Sequence, residues 1–216
     1  MGDPNKEVNS EESAYDFAKR FISTVDFSAM PESDRKDVNG PEIFVPLIRL
    51  AFERMKQPIQ NFPEHPSILG LFSGSGRIED GVAKAVHARS CRAVDLFIPN
   101  IPALRNTQAI EDDVFAYLAN PYVEKADLVI MTGAGYIFHP TRQKTLQFEG
   151  RSVNVADQTR ILIQHDLVNA LRSPSIVIFP EDEEGISDLF EGVPGFEKKM
   201  SDGMTVYVYQ EPKESS

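Results

Sequence analysis

Ser67-Ile68-Leu69-Gly70-Leu71-Phe72-Ser73-Gly74-Ser75-Gly76-Arg77 is the stretch on which the fold turns. Ser67 to Phe72 is apolar and short enough for one buried strand, Gly74 to Gly76 is a tight turn, and Ile78, Val82, Ala85, Val86 and Arg89 are successive sites on one side of a helix. Strand, glycine turn and helix open a βα unit, and the pattern repeats downstream. Cys91 to Phe97 reads as a second strand and Thr107 to Ile110 as a third, followed by a short helix through Val114, Tyr117 and Leu118 that Asn120-Pro121 ends. Asp127 to Met131 is a fourth strand. A longer helix is predicted from Val155 to Leu171, burying Val155, Thr159, Leu162, Ile163, Leu167 and Ala170, and Ser175 to Phe179 is a fifth strand. Strands separated by helical periods imply parallel pairs joined by right-handed crossovers. Phe196 to Met200, the turn Ser201-Asp202-Gly203 and alternating Met204 to Tyr209 read instead as an antiparallel hairpin, because Asp-Gly favours tight hairpin turns. The expected fold is α/β and doubly wound: a mostly parallel seven-stranded sheet with a C-terminal antiparallel hairpin and N-terminal helices.

Before Ser67 the periodicity is helical. Ala14, Tyr15, Ala18, Phe21, Ile22 and Val25 predict an amphipathic helix with Asn9 or Ser10 as its N-cap. Met30 to Pro41 has linker composition; Leu47, Ile48, Ala51, Phe52 and Met55 then mark a second helix, with Pro46 in its first turn and Pro58 at its stop. Residues 1–60 are therefore expected to form a helical extension or lid, and residues 61–216 the α/β domain.

A chain of 216 residues can bury a real core, and a net charge of -11 argues against a broad phosphate-binding face, so nucleic acid is not an expected partner. The N-terminus lacks a basic start followed by an apolar run, and nothing approaches the roughly 18 apolar residues of a membrane span; the expected location is the cytoplasm, with no membrane partner. Cys91 has no second cysteine to pair with and reads as a buried structural thiol. Glu181-Asp182-Glu183-Glu184 reads as a solvated acidic loop, and His65, His139 and His165 form no recognisable metal pair, so no metal site is expected.

In a doubly wound sheet, ligands bind beyond the carboxyl ends of the strands where strand order reverses. This rule selects Ser73, Gly74, Ser75 and Gly76, where glycines let the backbone approach a ligand and the next helix presents amide hydrogens. Asp95 ends the second strand, nineteen residues after Gly76, and a carboxylate there suits the two hydroxyls of an adenosine ribose. In Glu111-Asp112-Asp113, one carboxylate can meet an adenine amino group while the others cap the following helix. After the fourth strand, Thr132, Tyr136 and His139 fall near the same crevice. His139 is the candidate base and Tyr136 the candidate acceptor-orienting group.

The order of elements and these three sites resemble the class I S-adenosylmethionine-dependent methyltransferases over about Ser67 to Gln210. The resemblance implies that the turn at Ser73, Gly74, Ser75 and Gly76 surrounds the methionine part of the cofactor, that Asp95 holds the ribose, and that Asp113 or Asp112 reads the adenine. It also implies that the N-terminal helices cover the substrate pocket. Two positions depart from the family's pattern: Gly70 stands where an acidic residue is usual, and Phe72 where the first glycine is usual.

The function expected from this resemblance is methyl transfer from S-adenosylmethionine to a small molecule or a protein side chain. The loop after the fourth strand is not of the Asn-Pro-Pro-Tyr type, so adenine or cytosine amino methylation has no support in the sequence. Two other readings stand beside it. One is a catalytically inactive methyltransferase-like binding module, favoured by Gly70 and Phe72. The other is a nicotinamide-dependent (NAD(P)) oxidoreductase, disfavoured because Glu79 takes the third glycine position, where a carboxylate would oppose a pyrophosphate.

Overall fold

The computed structural model describes residues 12–27, 41–96, 104–133, 144–180, 188–201 and 203–212. Its elements in chain order are α1 (Ala14–Ile22), α2 (Pro41–Lys56), β1 (Ser67–Leu71), α3 (Arg77–Ala85), β2 (Ser90–Asp95), β3 (Gln108–Glu111) and α4 (Val114–Ala119). There follow β4 (Ala126–Met131), β5 (Thr145–Phe148), β6 (Arg151–Asn154), α5 (Val155–Asp166), β7 (Leu171–Phe179), β8 (Phe196–Ser201) and β9 (Met204–Tyr209). Seven strands form one sheet in the order β3-β2-β1-β4-β7-β9-β8. The first five are parallel, β9 runs antiparallel to both β7 and β8, and the chain reverses direction across the sheet between β1 and β4. The expected architecture is present, terminal hairpin included.

Side-chain alternation divides the core into two layers. Leu69, Leu71, Val129, Met131, Val177, Phe179 and Tyr207 point to the face covered by α1, α4 and α5. Their neighbours Ile68, Leu128, Ile130, Ile176, Ile178 and Val206 point to the face covered by α2 and α3. Strands buried on both faces read as continuous apolar runs, which is why β4 and the second half of β7 were legible. The two N-terminal helices thus lie on opposite faces of the sheet. On one side α1 buries Ala18, Phe21 and Ile22; on the other α2 buries Ile48, Ala51 and Phe52, packing closely on α3 because a Cβ at Gly81 would meet Val45 Cγ2 at 2.6 Å.

Several boundaries differ from the expectation. The α1 cap is Ser13, whose hydroxyl accepts the Asp16 amide hydrogen at 3.1 Å, and the helix ends at Ile22, where Thr24 and Val25 donate to the Phe21 and Ile22 carbonyls in tight turns. Pro41 opens α2, so Pro46 lies inside the helix, which forgoes one ladder bond at that nitrogen. The chain tightens into a 3-10 turn at Leu167–Ala170, and Leu171 already pairs with Ala126 in β7, which shortens the predicted helix and lengthens the strand. The β5–β6 hairpin was not anticipated. Its turn places Glu149 and Gly150 at positive φ (50° and 73°), and Phe148 meets the rings of Phe17 and Phe21 in α1 edge-on at 5.8 and 5.3 Å. Met30 to Asn39 and the acidic run 181–184 lie outside the described residues.

At the amino ends of the strands, Asp127 is buried and accepts the Ser67 amide hydrogen at 2.7 Å, with Arg89 at 3.2 Å and Arg172 at 3.4 Å. Burial pushes its carboxyl pKa up, against the Ser67 amide and Arg89, which pull it down. This network joins β1, β4 and β7 at the end of the sheet remote from the glycine turn, so it pins strands and takes no part in the crevice.

Candidate functional site

At its carboxyl end β1 leaves the sheet abruptly. Phe72 takes a left-handed conformation (φ 54°), as do Gly74 (52°) and Gly76 (69°), the latter forming the N-cap of α3. For phenylalanine this conformation costs about 1–2 kcal/mol, so neighbours must hold it. They do so from both flanking strands. Ser73 donates its amide and hydroxyl hydrogens to the Val94 carbonyl of β2 at 3.4 and 3.2 Å, and Thr132 at the end of β4 donates to the Phe72 carbonyl at 3.3 Å. Gly133 lies so close beneath that carbonyl that a Cβ there would come within 2.6 Å of it.

Asp95, at the end of β2, accepts the Gly74 amide hydrogen on Oδ2 at 2.7 Å. An ionised carboxylate accepts at about four positions, so this bond is compatible with accepting hydroxyl hydrogens as well. The backbone carbonyl of Asp95 accepts the Asp112 amide at 3.0 Å, which sets the ends of β2 and β3 side by side. The two aspartates after β3 have different roles. Asp113 is the N-cap of α4, with Oδ1 accepting from Phe115 at 2.8 Å and Ala116 at 3.1 Å, whereas Asp112 is exposed and accepts the Asp113 amide at 2.9 Å.

The expected site residues therefore separate by position. Ser73, Gly74, Ser75, Gly76, Asp95, Asp112, Asp113 and Thr132 gather at the carboxyl ends of β1 to β4; Ser73 and Ser75 have buried side chains, and the turn offers backbone at Gly74. Tyr136 and His139 lie outside the described residues. Cys91 is buried, and burial pushes its thiol pKa up to about 12, as suits an unreactive core thiol. Among the described residues no group of His, Cys, Asp and Glu is placed to hold a metal ion, and no helix is long and apolar enough to cross a membrane.

Glu79 is the residue that sequence reasoning undervalued, because it entered only as an obstacle to pyrophosphate. It lies on α3 one turn after Gly76 and is fully buried, with Oε1 3.4 Å from the Thr132 hydroxyl. A Cβ built on Gly70 would meet Glu79 Cγ at 2.3 Å and Oε1 at 2.9 Å, so glycine in the centre of the sheet is what admits this side chain. Gly70 itself was the available signal. A glycine inside a buried strand marks close approach by another group.

The plantazolicin methyltransferase BpumL, solved with a monoazolic desmethylPZN analogue and S-adenosylhomocysteine, superposes with a TM-score of 0.53 at 11% identity, covering 91% of this chain and 95% of that one. This chain has the Rossmann-like methyltransferase fold. The N-methyltransferase NodS from Bradyrhizobium japonicum, solved with S-adenosylhomocysteine, covers 91% of this chain and 97% of its own at 14% identity, with a TM-score of 0.46. No protein-family model matches the sequence, and no curated protein matches it either. In methyltransferase-fold terms, the glycine turn, Asp95 and the β3 aspartates stand at the reversal point between β1 and β4 and on the strands beside it.

Proposed function

We propose that the protein transfers a methyl group from S-adenosylmethionine to a small molecule or a protein side chain. The observation that carries this reading is the carboxylate of Asp95 bonded to the left-handed glycine turn at the strand-order reversal of a methyltransferase fold. The donor set suits the cofactor. Asp95 and Asp112 are acceptor groups matched to ribose hydroxyls and an adenine amino group.

When bound, S-adenosylmethionine supplies a methyl group on a sulfonium, open to in-line attack by a lone pair of the acceptor. The protein's task is then chiefly positioning. Gly74 and Gly76 let the backbone approach the amino-acid part, Asp95 orients the ribose, and Asp112 meets the adenine while Asp113 holds α4 in place. Where the acceptor must lose a proton, His139 is the proposed base and Tyr136 the proposed orienting group. The N-terminal extension, residues 1–60, is proposed to cover the acceptor side through the segment that carries α1, since α2 packs on α3 at the opposite face of the sheet. In support, the rings of Phe27, just beyond α1, and Phe115 are 5.7 Å apart, and those of Phe115 and Phe72 are 6.0 Å apart, which forms an aromatic wall from the extension to the turn. Such a wall excludes water from the reacting groups.

Titration with S-adenosylmethionine and S-adenosylhomocysteine tests the reading. A ligand selective for the native state releases or absorbs heat and raises the melting temperature by mass action. Phe72 in place of a glycine, with its ring turned toward Phe115, favours a second reading, a methyltransferase-like binding module without catalysis. Absence of heat and of thermal shift at millimolar ligand, with a folded sample, decides for the second.

A further inference from the structure

The seven-stranded sheet ends on β8, and among the described residues no strand lies beyond it. Two bonds fix which of its backbone groups face outward. The Gln210 amide donates to the Gly195 carbonyl at 2.8 Å, whereas the Phe196 amide turns away from β9 and donates to the Val193 carbonyl at 3.3 Å. Direction alternates along an antiparallel ladder, so Glu197, Lys199 and Ser201 turn their main-chain groups to β9, while Lys198 and Met200 turn theirs to the open edge beside the Phe196 carbonyl. Such an edge is a template for another strand, and charged side chains are the usual guard against wrong partners.

The charges on this edge match themselves. Read outward from Lys198, the run Phe196-Glu197-Lys198-Lys199-Met200 is apolar at both ends, acidic on one side and basic on the other. When two such strands pair antiparallel about a twofold axis at Lys198, each Glu197 faces Lys199 of the second copy and each Phe196 faces its Met200. An axis at Glu197 or at Lys199 would instead set two glutamates or two lysines directly opposite. The Lys198 axis also brings the outward main-chain groups of the two Lys198 residues together and lays each Met200 amide against a Phe196 carbonyl. Exposure agrees with this use: Met200 is 53% exposed, and the side chains of Glu197 and Lys199, paired along the strand, are 68% and 43% exposed. The two Lys198 side chains are like charges, but about 5.5 Å between the Cα atoms of a hydrogen-bonded pair leaves their long stems room to part.

We infer that β8 is an interface for a second copy of this chain, joining two sheets edge to edge about a twofold axis at Lys198. The crossed pairs of Glu197 with Lys199 set its register, and those of Phe196 with Met200 cover its ends.

The test is sedimentation of the full chain over about 1 to 100 μM, where mass action draws a weak dimer together. Wild type should shift from monomer to dimer across this range. Glu197→Lys alone and Lys199→Glu alone each oppose like charges in the homodimer, and each should raise its dissociation constant about 10-fold or more. Mixing the two single variants should restore a heterodimer, because every lysine of one then faces a glutamate of the other. The double exchange Glu197→Lys with Lys199→Glu should dimerise like wild type. Both positions are exposed, and circular dichroism checks that each variant keeps the native fold. A folded wild type that stays monomeric throughout overturns the inference. So do single variants that dimerise as wild type does, which would place the contact elsewhere, as at the exposed Ile43 and Leu50 of α2. Loss of the dimer in the single variants with recovery in neither the mixture nor the double exchange overturns it as well.

Discussion

The carboxylate of Asp95 accepts the amide hydrogen of Gly74 at 2.7 Å, so the end of β2 is pinned to the turn that follows β1. Two substitutions separate holding the turn from holding a ligand. Asp95→Asn keeps an oxygen for the Gly74 amide but offers an NH2 group where a ribose needs a second acceptor. S-adenosylhomocysteine affinity should fall about 10- to 100-fold with little change in melting temperature. Asp95→Ala should also lose about 1–3 kcal/mol of stability in urea denaturation, from the amide left without its partner. Normal binding by both variants would leave Asp95 a turn residue alone.

Gly70→Ala should destabilise the fold by roughly 1–3 kcal/mol, because its methyl group would overlap Glu79 Cγ at 2.3 Å. Combining it with Glu79→Ala should remove the overlap, so the two costs should be strongly non-additive in a double-mutant cycle. Additive costs would show that glycine is required there for some reason other than Glu79.

Tyr15 attaches α1 to α5: its hydroxyl donates to Asp166 Oδ1 at 2.9 Å, and its ring stacks on His165 with centroids 3.9 Å apart. Burial first, and then the bond to Asp166, push the phenol pKa from 10.0 up to about 12 in the folded protein. A group whose pKa is raised on folding contributes fully below its unfolded value and loses that contribution as pH rises through the folded one. The stability advantage of wild type over Tyr15→Phe should therefore be about 0.5–1.5 kcal/mol at neutral pH and shrink between pH 10 and 12. An advantage that persists through pH 12 would show that the hydroxyl does not make this bond in solution.

Phe21 is 1% exposed and belongs to the core shared with α4 and α5. Phe21→Ala should cost about 3–5 kcal/mol in denaturant unfolding. A cost near zero would show that α1 does not pack in solution and leave it free to move as a separate cover.

Cys91 should react with a thiol reagent at pH 8 only at the rate at which the protein opens, because burial holds its pKa near 12. Labelling should accelerate in step with urea unfolding. Rapid stoichiometric reaction of the native protein would contradict its burial.

The parallel strands were readable because each is an apolar run of strand length between turn residues, as in Asp127 to Met131, and burial on both faces leaves no other use for such a run. The hairpin at Thr145 to Asn154 escaped notice although Glu149-Gly150 is a turn signal. Its strands are short and partly exposed, and their stability comes from Phe148 lying against Phe17 and Phe21, far away in sequence. Asp112 and Asp113 could not be told apart along the chain. Capping depends on which of them stands at the α4 boundary, and that is set by where β3 ends.

Local patterning alone thus determined the fold class, the chain order of the seven strands of the main sheet and the position of the glycine turn, since periodicity and turn chemistry act between near neighbours. Tertiary structure decided which face of the sheet each N-terminal helix covers, which carboxylate reaches the turn, and why residue 70 is a glycine. Those depend on contacts across space: Glu79 is nine positions from Gly70 in sequence, but only the packing of α3 against β1 lays its carboxylate where that residue's side chain would be.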